Sequence, residues 1–141
     1  MPMIDIVAPE GTFPAASEAT LLERATACLL EWEKTTRIPL AVANTGAFLQ
    51  VLPRARVCAG GQPAGVVRVQ ILTPQKALTQ EQRAGITSGI TAIIGELAGD
   101  AGVRERTWVL FHEAVDGGWG IAGRAYTNAD LADAVRASLG R

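Results

Sequence analysis

Apolar and polar positions along the chain change period several times, and each change marks an element. Residues 3–8, MIDIVA, form a short β-rich apolar run that Pro9, Gly11 and Pro14 cut off. From about Ser17 to Arg37 the spacing turns helical: Leu22, Ala25, Leu29 and Trp32 recur three or four apart, with Glu23, Arg24 and Glu31 between them. Ile38-Pro39 stops that helix, because the residue before proline is driven out of the helical region. A second strand, AFLQVL at 47–52, runs into the Gly/Pro-rich connection PRARVCAGGQPAG.

The order then repeats. GVVRVQIL at 65–72 reads as a strand, and TPQKAL leads into a helix beginning near Thr79. TQEQ fits a capping box, with Thr79 accepting from the amide three residues on and Gln82 reaching back. Ile86, Ile90, Ile93, Ile94 and Leu97 make one apolar face that ends at Gly99. RTWVLF at 106–111 is the next strand, followed by a turn and a short extended hairpin. Leu131, Val135 and Leu139 place a short amphipathic helix in the tail, 127–141.

The chain therefore reads strand–helix–strand twice, with pseudo-repeats of about 60 residues at 2–61 and 65–126 inside a single domain. Right-handed crossovers make the two strands of each half parallel. The predicted fold class is α+β: tandem βαβ units forming a four-stranded mixed sheet with two helices on one face. The other face is left without cover, and symmetric self-association is the usual way to bury it, so an oligomer is expected.

Composition narrows the function. The 141 residues carry 13 Lys+Arg against 14 Asp+Glu, so no basic surplus attracts nucleic acid or an anionic membrane. Cys28 and Cys58 are too few for a disulfide framework and lack metal-ligand spacing, and with the one histidine, His112, they predict no metal site. The acidic N-terminus does not read as a signal peptide, and no apolar run is long enough to span a membrane, which predicts a cytoplasmic protein.

Candidate chemistry begins at Met1-Pro2. Proline is tolerated at the first position of a strand, where no ladder donor is needed. It is also small enough for the preceding methionine to be removed, which would leave Pro2 as a terminal secondary amine. That opening, the T-x-E-Q helix start and TWVLFHEAVDGGWGIAG together resemble the tautomerase superfamily across about residues 2–126. The second half resembles the 4-oxalocrotonate tautomerase building block, with Glu113 and WGIAG at 119–123. The first half, MPMIDIV and VLPRARVCAGG, is closer to the macrophage migration inhibitory factor branch.

The resemblance implies a homotrimer of double βαβ subunits in which Pro2, once Met1 is removed, moves a proton between carbon and oxygen of a keto–enol pair, with no cofactor. An α-amino group has an ordinary pKa of about 7.7–8.0, which an apolar pocket and nearby cations lower toward the working pH. The resemblance also makes Trp119, in the glycine turn, the pocket aromatic, and sets Arg37 near the place of the second branch's lysine. Other parts of the family pattern are missing: Leu78 and Trp108 stand where substrate-binding arginines are found, and Gln75 and Lys76 replace the arginines of relatives that dehalogenate or decarboxylate.

The expected site is thus Pro2 as catalyst, with Arg37, Arg54, Arg56, Lys76, Trp108 and Trp119 as candidate substrate-binding residues and a small carbonyl or enol compound as substrate. Arg54 and Arg56 would reach a neighbour's pocket, and Arg68 would hold the place of Pro2 in the second repeat. Period 2 sets Trp108, Leu110 and His112 on one strand face, toward a pocket or an interface. Hydration or decarboxylation in the same pocket, and a trimer that binds without catalysis, are the alternative readings.

Overall fold

A computed structural model describes residues 1–140. Strands β1 (Met3–Pro9), β2 (Gly46–Leu52), β5 (Val67–Pro74) and β6 (Thr107–Ala114) form one sheet in the order β2-β1-β5-β6. β1 and β2 are parallel, β5 and β6 are parallel, and the central pair β1 and β5 is antiparallel, with Asp5 opposite Gln70. This is the predicted mixed sheet of two βαβ units. Helices α1 (Glu18–Glu33) and α3 (Gln80–Leu97) both lie on one face.

Alternation along the strands divides the sheet cleanly. Ile4, Ile6 and Ala8 of β1 and Val67, Val69 and Ile71 of β5 point toward the helices and are buried. They meet Leu21, Ala25 and Leu29 from α1 and Ile86, Ile90 and Ile94 from α3. Each such isoleucine or leucine contributes roughly 1.5–3 kcal/mol by leaving water. Leu78 belongs to the same core. Where α1 crosses α3, Gly85 faces Trp32 and Gly89 faces Cys28, so the helix backbone approaches more closely than any side chain would allow.

The other face carries Phe48, Arg68, Trp108, Leu110 and His112, all exposed. Neither helix covers it. Arg68 pairs with Val7 on this face, whereas Pro2 is fully buried. Arg68 is therefore not the counterpart of Pro2 expected from the repeat, because a one-residue offset reverses the face.

Several boundaries differ from the sequence reading. α1 ends at Glu33 rather than near Arg37, because Lys34 turns into the left-handed region (φ 59°) and donates its N–H to Leu30 and Glu31 carbonyls. Pro39 then starts a short helix, α2 (Pro39–Ala43), at the N-terminal position where its missing N–H costs nothing. The connection after β2 contains a two-residue hairpin, β3 (Cys58–Ala59) and β4 (Gln62–Pro63), turned by Gly60 and Gly61 with φ of 59° and 75°. β6 runs on to Ala114, so His112 and Glu113 lie in the strand, and Glu113 accepts from Arg83 at 2.8 Å.

Thr79 and Gln82 form the predicted capping box of α3. Hairpin β7 (Trp119–Ile121) and β8 (Arg124–Tyr126) leads into α4 (Asn128–Leu139), which opens on a second box, Thr127 with Asp130. No helix among the described residues is long and apolar enough to cross a membrane.

Candidate active site

The chain terminus is a buried charged group. Pro2 precedes β1, and its carbonyl accepts from the Gly46 N–H at 3.3 Å, which fixes it to the start of β2. Its side chain is fully buried. The α-amino group of Met1 donates to Glu33 Oε2 at 2.9 Å and Oε1 at 3.1 Å, and the two side chains are only 4% and 7% exposed. Thr35 Oγ1 donates to the same carboxylate at 3.3 Å.

Glu33 stands in the last turn of α1, where the helix dipole disfavours an acidic side chain and no basic residue shares the turn. The terminal ammonium supplies the compensating charge. A buried carboxylate so placed is tolerated only when paired and hydrogen-bonded, and both conditions are met.

Around this pair lies a second apolar cluster, separate from the main core. The Met1 side chain packs with Ala41 of α2, Trp119 of β7 and Leu131 of α4, and Ile38, Leu72, Tyr126 and Val135 border them. A cleft of about 420 Å³ opens beside it, lined by Met1, Glu33, the Pro74–Ala77 loop and one side of α4. α4 is pinned over the cleft at its start, where Asn128 donates from Nδ2 to the Gln75 carbonyl and from its backbone N–H to Asp116.

The residues singled out in the sequence divide between the two ends of the sheet. Trp119 lies in the terminus cluster with Met1, the residue before Pro2, and Lys76 is exposed at the rim of the adjoining cleft. Arg37 is exposed in the turn before Ile38, which packs on that cluster. Arg54 and Arg56 follow the far end of β2, roughly 20 Å away at about 3.3 Å per residue. There Arg54 lies against Gly11 in a small cleft with Asp100 and Arg106. Trp108 lies on the uncovered sheet face beside Arg68, away from the terminus. Within one protomer, then, Met1 touches both Trp119's cluster and Lys76's cleft, Pro2 follows it in the chain, and Arg54, Arg56 and Trp108 lie elsewhere.

Sequence reading missed Glu33. Its only signal was an acidic residue in the last turn of a helix, and its partner is the chain terminus, which only folding brings to it.

No family model matches the sequence, and no curated protein matches it. Solved structures do. A structure of Pt0534 inactivated by 2-oxo-3-pentynoate superposes with a TM-score of 0.76 at 20% identity, over 90% of this chain and 97% of that one. A native fused 4-OT gives 0.70 at 18% identity over 99% of both chains. The macrophage migration inhibitory factor of Toxoplasma gondii gives 0.69 at 13% identity, over 88% of this chain and 99% of that one. Another fused 4-OT, a symmetric trimer, gives 0.75 at 17% identity over 92% and 98%. The chain thus has the fold of these 4-OT and macrophage migration inhibitory factor structures.

Proposed function

We propose that this protein is a tautomerase whose catalyst is the free amino group of Pro2, generated by removal of Met1. The observation that carries the reading is the position of the chain terminus, enclosed by Trp119, Leu131 and Ala41 beside an open cleft. In ketonisation the enol O–H bond breaks and a C–H bond forms at the neighbouring carbon. A secondary amine can relay that proton without any change of oxidation state. Being part of the backbone ring, the Pro2 nitrogen has no side-chain rotamer to fix, so β1 holds it in place.

The substrate in this reading is a small enolisable carbonyl compound, a 2-oxo acid or a relative of one, and no cofactor takes part. Trp119 walls the pocket, Lys76 lines the rim of the cleft, and Arg37 is exposed in the turn before Ile38. We further propose that the working unit is a cytoplasmic homotrimer, formed by the uncovered sheet face with Phe48, Trp108 and Leu110. In that assembly Arg54, Arg56 or Trp108 of one subunit would meet the pocket of another.

The test combines intact mass with ketonisation of phenylenolpyruvate. A mass lacking Met1, with turnover abolished by Pro2→Ala, is the expected result. Retention of Met1 would make the Pro2 nitrogen an amide and sink the proposal. One observation favours a second reading, binding without catalysis: the Met1 side chain itself fills the apolar pocket when present.

A further inference from the structure

We infer that protein which folds with Met1 in place is a closed, latent form. Its terminus is out of reach of a methionine aminopeptidase, so Met1 is removed before the chain closes on it or not at all. That the closed site is a catalytic one rests on the tautomerase reading; the closure itself does not.

A methionine aminopeptidase has to bind the free α-amine and the side chain of the residue it removes, with the next peptide bond extended in its own active site. In the folded chain each of those groups is engaged elsewhere. The α-amine donates to both Glu33 oxygens, at 2.9 and 3.1 Å, and the side chains of the pair are only 4% and 7% exposed. The Met1 side chain packs with Ala41, Trp119 and Leu131. Pro2, on the other side of the bond to be cut, is fully buried, and its carbonyl accepts from the Gly46 N–H.

Freeing the terminus therefore takes more than fraying of one residue. Chain ends are mobile unless tied down, and this one is held by residues of α1, α2, β7 and α4. Withdrawing Met1 would leave Glu33 buried without its counter-charge and open an apolar cavity between Trp119 and Leu131. Excision from folded protein is then limited by the small fraction of molecules in which the terminus has opened. The weakest wall of the enclosure is α4, where Leu131 alone is buried and Asn128 pins the start.

On the nascent chain nothing opposes the reaction, because Trp119 and Leu131 are still unsynthesised when Met1 emerges. Water adds its hydroxyl to the Met1 carbonyl carbon and a proton to the Pro2 nitrogen. Methionine leaves, and a terminal secondary amine remains, with no change of oxidation state. The order of excision and folding thus decides how much of the protein carries that amine.

The order can be imposed in a reconstituted translation system that contains deformylase, with methionine aminopeptidase present throughout or added after folding. The peptide MPMIDIVAP gives the unhindered rate of excision. Intact mass should show Met1 lost in the first case and kept in the second, with excision from folded protein at least about a hundredfold slower than from the peptide. Glu33→Gln and Leu131→Ala, each checked for folding by circular dichroism, should speed late excision by about tenfold. Excision from folded protein at the peptide's rate would overturn the inference, and so would late excision equally slow in both variants. Each product is then assayed for ketonisation of phenylenolpyruvate, and activity is expected only where the aminopeptidase was present during synthesis. Met1-free protein without activity, with late excision still blocked, would uphold the closure and sink the tautomerase reading. Fast late excision that yields active protein would overturn the closure and leave the tautomerase reading intact.

Discussion

The α-amino group of Met1 and the carboxylate of Glu33 form a buried ion pair that ties the start of β1 to the end of α1, 32 residues apart in sequence. Two elements that a β-strand's alternation and a helix's period place independently are thereby fixed at one point. The apolar cluster around Trp119 closes over that point.

Breaking this pair should be costly. In protein that begins at Met1, Glu33→Ala leaves the ammonium buried without its counter-charge, and a loss of about 3 kcal/mol is expected. Glu33→Gln keeps an acceptor and should cost less. Urea unfolding of the three proteins measures it, and equal stabilities would show the pair to be solvated in solution.

The helix crossing makes a prediction whose sign depends on background. Alanine favours a helix interior over glycine by about 1 kcal/mol. At Gly85, however, the added Cβ would lie 2.1 Å from Trp32 Cζ2. Gly85→Ala should therefore destabilise the protein by about 1–2 kcal/mol through displacement of the Trp32 ring. In a Trp32→Ala background the same change should stabilise it. A double-mutant cycle by chemical unfolding decides, and additive effects would contradict the packing described.

Acid should weaken the molecule at two identified caps. Thr127, through its backbone N–H first and then its hydroxyl, and Arg124 hold Asp130 below the ordinary aspartate range. Arg106, with the Gly102 N–H, does the same for Asp100. Folded values below the unfolded value of about 3.9 mean stability that is present above that pH. It is lost as pH falls through the folded values. Asp130→Asn should flatten part of this acid limb in Tm against pH while lowering Tm at neutral pH, since the cap is weakened.

The two thiols should differ in reactivity. Cys28 is buried between α1 and α3, and burial, aided by Glu31, pushes its thiol up from the usual range. Cys58 is exposed in β3. Ellman titration of native protein should find Cys58 alone, with Cys28 appearing on denaturation. Rapid labelling of both in the native state would show that the α1–α3 interface opens.

The uncovered sheet face should govern assembly. Phe48 on β2 is 50% exposed, and Trp108 and Leu110 on β6 are 45% and 43% exposed, at the two edges of the same sheet face. Leu110→Lys should convert the proposed trimer to single chains in sedimentation velocity, with the fold retained in circular dichroism. A native protein that already sediments as one chain would refute the trimer.

What the sequence determined by itself was local and periodic. The alternation in MIDIVA and VRVQIL, the isoleucine stripe of α3 and the Thr79/Gln82 box each specify an element from adjacent residues, and two βαβ units then leave few topologies. The end of α1 was not legible, because Lys34 adopts a left-handed turn that lysine rarely favours. The site was legible only in part. Pro2 and Trp119 carried their signals in MPMIDIV and WGIAG, and folding packs Trp119 in one cluster with Met1, the residue before Pro2. Glu33, Leu131 and Ala41 come from three other elements, and their meeting depends on how α2 and α4 pack over the chain terminus. The separation of Arg54, Arg56 and Trp108 from that terminus was likewise decided by strand direction and face. Neither is a property of neighbouring residues: both depend on contacts between segments far apart in the chain, which exist only once the sheet has formed.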